Sequence, residues 1–257
     1  MPTFSIITPN FNSDEKLKVT AASVLDQGAD VEYLIADGAS TDRSIDIAGQ
    51  LARDHPDRVR LISEPDSGVY DAINKAIHVS KGRFIYVIGA GDFMMPEVLK
   101  RCAECLPDRK LAILYGNVIW KGQTYDGPWT REKFGSKNIC HQAMLVERGV
   151  FKNFGMYDSQ YPILADYAFN ISLFANREIE WQYLPITFAT YEGAGVSDRT
   201  PDTRFLADKE SLIRDQLGFN AWVRCYHGSL TRYFKSLVIS KARRVVRRRM
   251  PNLLSHG

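Results

Sequence analysis

Along the first 115 residues, short continuous apolar runs alternate with segments whose apolar positions recur every three to four residues. Phe4–Thr8, Val31–Ala36, Val59–Ile62, Phe84–Ile88 and Ala112–Tyr115 read as strands. Their apolar residues are continuous rather than alternating, which predicts strands covered on both faces of a sheet. Between them, helices are predicted from the capping residues Asn12–Asp14 to about Leu25, from Asp42 to about Asp54, over Val69–Ser80, and from Pro96 to about Leu106. This alternation predicts an α/β fold with a mostly parallel sheet flanked by helices. Such sheets hold ligands at the carboxyl ends of their strands. Those ends carry Thr8-Pro9-Asn10, Asp37-Gly38, Glu64-Pro65-Asp66 and Gly89-Ala90-Gly91-Asp92.

Beyond residue 115 the pattern loosens. Val118–Tyr125 suggests a hairpin turning at Lys121-Gly122, Asp166 to about Asn176 a helix, and Trp181–Tyr191 one or two short strands broken at Pro185. Leu230, Tyr233, Phe234, Leu237, Val238, Ala242, Val245 and Val246 then recur at helical spacing up to about Met250. No clean linker separates these parts, so one domain over 1–228 with a basic amphipathic C-terminal helix in 229–257 is expected.

At 257 residues, 45% hydrophobic and 25% charged, the chain has the makeup of a soluble globular protein. No run approaches the roughly 18 apolar residues of a membrane-spanning helix. The N-terminus lacks the basic flank of a signal peptide. Four cysteines are too few for a disulfide framework at this length, and Cys102 and Cys105 read as packing residues on a helix, which together favour a cytoplasmic setting. The net charge of +3 conceals an asymmetry: residues 216–257 hold nine Lys or Arg and no acid, while the rest of the chain is mildly acidic.

The sequence has no GxxxxGKS or GxGxxG loop, no HExxH or paired Cys/His set, and no GxSxG elbow. These absences argue against a P-loop nucleotidase, a typical dinucleotide enzyme, a zinc enzyme and an esterase. What remains is a set of carboxylates at strand ends. Mg²⁺ is commonly bound by one or two carboxylates together with substrate phosphates, so a nucleoside diphosphate with a bridging cation fits an otherwise acidic crevice.

Several segments resemble glycosyltransferase family 2, and particularly its bacterial cell-surface polysaccharide enzymes. Ser5–Asn12 is similar to the family's opening strand, and Asp37-Gly38-Ala39-Ser40-Thr41-Asp42 to its DGSTD turn. Glu64–Ala76 resembles the segment before the metal motif. Cys140-His141-Gln142, Ala165-Asp166-Tyr167 and Tyr191–Ser197 follow in the family's order, so that the likeness spans roughly residues 3–200. The resemblance implies a GT-A fold, a nucleoside-diphosphate sugar donor and inversion at the anomeric carbon.

By the same resemblance, Thr8, Pro9 and Asn10 would border the base, Asp37 would bind base or ribose, and Gly68 and Asp71 would line the nucleotide pocket. Asp92 would bind Mg²⁺ or Mn²⁺ and the diphosphate, and Asp166 would be the catalytic base. The metal motif departs from the family pattern: its first acid is replaced, leaving Gly89-Ala90-Gly91-Asp92, so the metal requirement stays open. Plainer roles also suit these residues. Asp37 suits a turn, Asp92 a loop before a helix, Asp166 a helix cap, His141 an ordinary loop histidine, and Gly193 and Gly195 a turn rather than a flap over the donor.

The reading is therefore an inverting glycosyltransferase that acts on a lipid-linked oligosaccharide acceptor in polysaccharide assembly. The alternative is a nucleotide-sugar-binding protein without catalysis. A nucleotidyltransferase is disfavoured for want of a Gly-rich, basic triphosphate loop. The basic C-terminal segment is expected to bind an anionic membrane surface, placing the protein peripherally on the inner face of the cell membrane. No specific nucleic acid is expected, because the segment lacks a recognised module and the body is acidic.

Overall fold

The computed structural model describes residues 2–28, 30–108, 111–125, 127–191, 193 and 200–226. The amphipathic helix expected over 230–250 and Gly195 lie outside the described residues.

Nine strands form one sheet in the order β3-β2-β1-β4-β8-β6-β9-β5, with β7 paired to β6. Its first half runs β1 (Phe4–Asn10), α1 (Asp14–Leu25), β2 (Val31–Asp37), α2 (Ser44–Asp54), β3 (Val59–Ser63), α3 (Val69–Val79) and β4 (Phe84–Val87). β1 pairs in parallel with both β2 and β4, and β2 with β3. All seven residues of β2 are buried, Glu32 and Asp37 included, as a strand covered on both faces requires. α1 and α2 carry the chain outward from β1 to β3, and α3 carries it back across β2 and β1 to β4. With right-handed crossovers, that reversal puts α3 on the opposite face from α1 and α2. The chain thus switches direction between β1 and β4, and the crevice of such a sheet opens at the carboxyl ends of that pair.

The second half departs from a simple parallel sheet. It comprises β5 (Phe93–Met94), α4 (Val98–Ala103), β6 (Leu111–Trp120), β7 (Gln123–Tyr125), α5 (Arg131–Ser136), a 3₁₀ turn (His141–Ala143), β8 (Met144–Glu147), α6 (Arg148–Phe154), α7 (Ala165–Phe174), β9 (Ile179–Tyr191) and α8 (Thr203–Leu212). β8 lies antiparallel between β4 and β6, so β6 runs parallel to β4 without touching it, and β9 continues in that direction. The expected fifth strand and the first arm of the hairpin are one strand, β6. The turn itself falls at Lys121-Gly122, where φ is 49° and 73°, the conformation that suits a two-residue hairpin loop.

Pro185 does not break its strand. β9 is continuous over thirteen residues, and the register slips between the pairs Tyr115–Tyr183 and Asn117–Thr187. Pro185 falls in that irregularity, where a missing N–H costs no ladder bond. The helix expected from Pro96 starts later, because Glu97 has φ 58° and cannot continue a right-handed helix. Cys102 is buried as expected, whereas Cys105 is exposed and is not a packing residue. An aromatic cluster of Phe134, Phe174, Trp181 and Tyr115 fills the core of the second half.

Candidate functional site

The carboxyl ends of β1 and β2 are locked to each other. Asn10 Nδ2 donates to Asp37 Oδ1 at 2.9 Å, and the Ser40 hydroxyl donates to the same oxygen at 2.5 Å. The Ser40 N–H and the Ser63 hydroxyl donate to Oδ2 at 2.9 and 3.1 Å. Asp37 is therefore buried with both oxygens engaged, and it organises the turn that follows β2. Thr8 is also buried and accepts from the Tyr33 hydroxyl at 3.0 Å, while Pro9 is half-buried beside it. Gly38 packs closely on Asp66, whose side chain would have to move to admit a Cβ, 2.4 Å from its Oδ2.

α3 begins beside this corner. Gly68 precedes its first turn with φ 137°, a backbone that L side chains rarely adopt. Asp71 accepts from the Ser67 N–H at 2.9 Å and from the Ser67 hydroxyl at 3.1 Å, and its Oδ2 lies 3.4 Å from Lys75 Nζ. The Ser67 N–H above all, with that hydroxyl and Lys75, holds the Asp71 carboxyl below its usual value despite some burial. Asp71 thus fastens the start of α3.

The loop after β4 carries Asp92. Thr20 on α1 holds it by donating from its hydroxyl to the carbonyls of Gly89 and Asp92 and accepting from the Gly91 N–H. Gln142 Nε2 donates to Asp92 Oδ2 at 2.7 Å. Burial raises the Asp92 carboxyl above its ordinary value, opposed by the Gln142 amide and by His141.

Asp166 lies in the first turn of α7, a helix buried along nearly its whole length. Leu164, not Asp166, occupies the cap position. The chain entering α7 is held instead by Asp202, whose Oδ2 accepts from the Ile163 and Leu164 N–H groups at 3.0 Å each. Asp166 Oδ1 accepts from the Tyr70 hydroxyl at 2.9 Å and the Tyr167 N–H at 2.8 Å. Asn138 Nδ2 donates to Oδ2 at 2.9 Å, and Asn138 is itself fixed by Asn170, one turn along α7. Burial first, and then the Asp166 charge, push the Tyr70 hydroxyl well above its ordinary value, so Tyr70 remains a proton donor. Burial and the same charge push the Cys140 thiol up to about 12, keeping it neutral.

The structure thus assembles two groups among the expected residues. Asn10 and Asp37 bond directly at the ends of β1 and β2, while Asp92 and Asp166 are joined through one short segment, Asn138–Gln142. Asp71 bonds to neither group. Tyr70, Asn138, Asn170 and Asp202 were not singled out from the sequence, because their partners are distant in the chain. Gly193 is described with φ 81°.

No three His, Cys, Asp or Glu side chains gather as a metal-binding set among the described residues. The Gln142 amide donates to Asp92 Oδ2, and the Gly89 backbone also bonds to this carboxylate. A single carboxylate in this loop fits a divalent cation held chiefly by a substrate diphosphate.

Comparison with known proteins bears on the family and the fold. Residues 5–182 match Glycosyl transferase family 2. The PGL/p-HBAD biosynthesis glycosyltransferase of Mycobacterium tuberculosis is 34% identical over 212 residues, covering 80% of this chain and 83% of that protein. The chondroitin synthase of Escherichia coli is 33% identical over 153 residues, covering 55% of this chain but 22% of that protein. Among solved structures, S. aureus TarS 1–349 in complex with UDP-GlcNAc superposes with a TM-score of 0.61 at 16% identity, over 83% of this chain and 66% of that one. The mannosyltransferase PcManGT from Pyrobaculum calidifontis, in complex with GDP-Man and Mn²⁺, gives 0.60 at 13% identity over 97% and 81%.

Proposed function

Because the chain belongs to glycosyl transferase family 2 and has the GT-A fold, we propose that it transfers a sugar, with inversion, from a nucleoside-diphosphate donor to a hydroxyl of a lipid-linked saccharide. The observation that carries this reading is the tie between Asp92 and Asp166: one five-residue segment bonds to both acids at the mouth of the sheet. An inverting transfer needs a basic group on one side of the anomeric carbon and charge stabilisation for the leaving group on the other. Asp166 supplies the basic charge that draws off the acceptor proton. Thr8, Pro9, Asn10, Asp37, Gly68 and Asp71 border the nucleotide, with Asn10 and Asp37 acting as a rigid floor. Asp92 would hold Mg²⁺ or Mn²⁺ against the diphosphate, where the cation would neutralise charge developing on the leaving group.

The acceptor reading rests on charge. Residues 216–257 carry nine basic residues and no acid. The described helix over 219–226 leads into them with an exposed Phe219 and a ladder of rings, Phe219–Trp222 at 5.3 Å and Trp222–Tyr226 at 6.3 Å. Aromatic and basic residues in sequence suit the interface of an anionic membrane. Docking there would bring the crevice to a lipid-linked acceptor on the inner face of the cell membrane. No helix among the described residues is long and apolar enough to cross a membrane.

The test is a screen of nucleoside-diphosphate sugars for diphosphate release, with and without a lipid-linked acceptor pool, for the wild type and Asp166→Asn. Loss of a general base costs about 10²–10⁴-fold in rate. The variant should lose turnover on that scale and keep nucleotide binding in calorimetry. Donor binding without transfer or hydrolysis in the wild type would favour a nucleotide-sugar-binding protein, and near-normal turnover in Asp166→Asn would remove the assigned role.

A further inference from the structure

Asp166 carries the basic charge of the site but hardly reaches the crevice: its side chain is 7% exposed, against 20% for the neighbouring His141. A carboxylate has about four acceptor positions. Three are taken, two on Oδ1 by the Tyr70 hydroxyl and the Tyr167 N–H and one on Oδ2 by Asn138. The fourth faces His141 Nδ1, 3.6 Å from Oδ2.

His141 Nδ1 is buried and has no hydrogen-bond partner among the described residues. A buried polar group left unpaired in a native protein calls for an explanation. The separation is too long for a hydrogen bond, yet a closure of under about 1 Å would make one. Hydrogen bonds between catalytic groups are often long in the empty enzyme and tighten in the reacting complex. The neighbours of His141 set where the ring sits. Gln142 is tied to Asp92 through its side chain, and its carbonyl accepts from the Tyr86 hydroxyl at 2.7 Å. His141 is therefore held between the acid assigned to the leaving group and the acid assigned to the base.

We propose that His141 is a catalytic residue: its Nε2 takes the proton of the acceptor hydroxyl, while Nδ1–H donates to Asp166. This rests on the glycosyltransferase reading and assigns the atom that touches the acceptor. A proton on Nδ1 leaves Nε2 with its lone pair, and a buried carboxylate behind Nδ1 fixes that tautomer and stabilises the imidazolium that forms, the logic by which a buried acid acts through a histidine on a hydroxyl. In the step, the acceptor O–H bond breaks and its proton goes to Nε2. The acceptor oxygen bonds to the anomeric carbon. The bond from that carbon to the diphosphate oxygen breaks, and its electron pair leaves with the nucleoside diphosphate.

The experiment compares His141→Ala, His141→Asn and Asp166→Asn in the full chain, with turnover, donor KM and nucleotide binding measured for each. Asn places an amide N–H near the position of Nδ1, so it keeps a donor to Asp166 but cannot accept the proton. Both His141 variants should lose about 10²–10⁴-fold in turnover with nucleotide binding retained, and added imidazole should restore part of the activity of His141→Ala but none of that of Asp166→Asn. Turnover of His141→Asn within a few-fold of the wild type, with Asp166→Asn inactive, would show that Asp166 takes the proton itself and overturn the proposal while leaving the wider reading intact. Normal turnover in Asp166→Asn would also overturn the proposal, since the carboxylate behind Nδ1 would then be dispensable, whereas donor binding without transfer by the wild type would overturn the wider reading.

Discussion

The hydroxyl of Tyr70, in the first turn of α3, donates to Asp166 Oδ1, in the first turn of α7, at 2.9 Å across 96 residues of sequence. The same hydroxyl lies 3.0 Å from the Ile163 carbonyl, so it also braces the loop that leads into α7. This contact joins the half of the sheet proposed to face the nucleotide to the half that carries Asp166, the proposed base.

Tyr70→Phe should therefore lower turnover without emptying the nucleotide site. A hydrogen bond to a charged group contributes about 1.5–3 kcal/mol, so a fall in kcat of roughly 10–100-fold is expected. Steady-state kinetics against donor concentration checks this. A rise in donor KM with unchanged kcat would place Tyr70 in donor binding instead.

If Asp92 holds a cation as proposed, Asp92→Asn should remove the metal dependence of turnover. Removing one preorganised charge-stabilising group costs about 10²–10³ in kcat. Chelator should lower wild-type turnover to a similar level and have little further effect on the variant. Full wild-type activity in chelator would mean that the diphosphate is stabilised without a metal.

Glu32 makes stability depend on acidity. Burial works to raise its carboxyl, but the Lys81 N–H, the Ser5 hydroxyl and Arg60 outweigh it and hold the group below its ordinary value of 4.5. Because the folded value is the lower one, the contribution is fully present above 4.5 and is lost as pH falls through the folded value. Glu32→Gln should cost about 1–3 kcal/mol at neutral pH, and the gap to wild type should close in acid. Denaturant titrations at the two pH values measure both.

The basic segment should carry membrane binding. Each basic residue near an anionic surface contributes about 1 kcal/mol, so replacing Arg243, Arg244, Arg247, Arg248 and Arg249 with Ser in the full chain should abolish co-sedimentation with anionic vesicles. Equal binding by both proteins, or no preference of the wild type for anionic over neutral vesicles, would count against the membrane role.

What the sequence determined by itself is the half built from local pattern. Each of β1 to β4 is a short, mostly apolar segment, and helical segments separate them, so no distant residue is needed to recognise them. Asp37 and Asp92 were legible for the same reason, as acids beside small residues at strand ends, whereas Asp166 was legible only through the resemblance carried by Ala165-Asp166-Tyr167. Tertiary structure alone decided the rest. Met144–Glu147 is four residues long, too short to announce a strand, and its reversed place between β4 and β6 depends on edges formed far away in the chain. Pro185 signals a break in any local reading, yet pairing with β6 carries the strand past it through a register shift. Asp166 could be named from its neighbours in sequence, but Tyr70, Asn138 and His141 reach it from other segments. Hydrogen bonds and burial act through space, so only the fold could show that the acid is enclosed and that a histidine lies 3.6 Å from it.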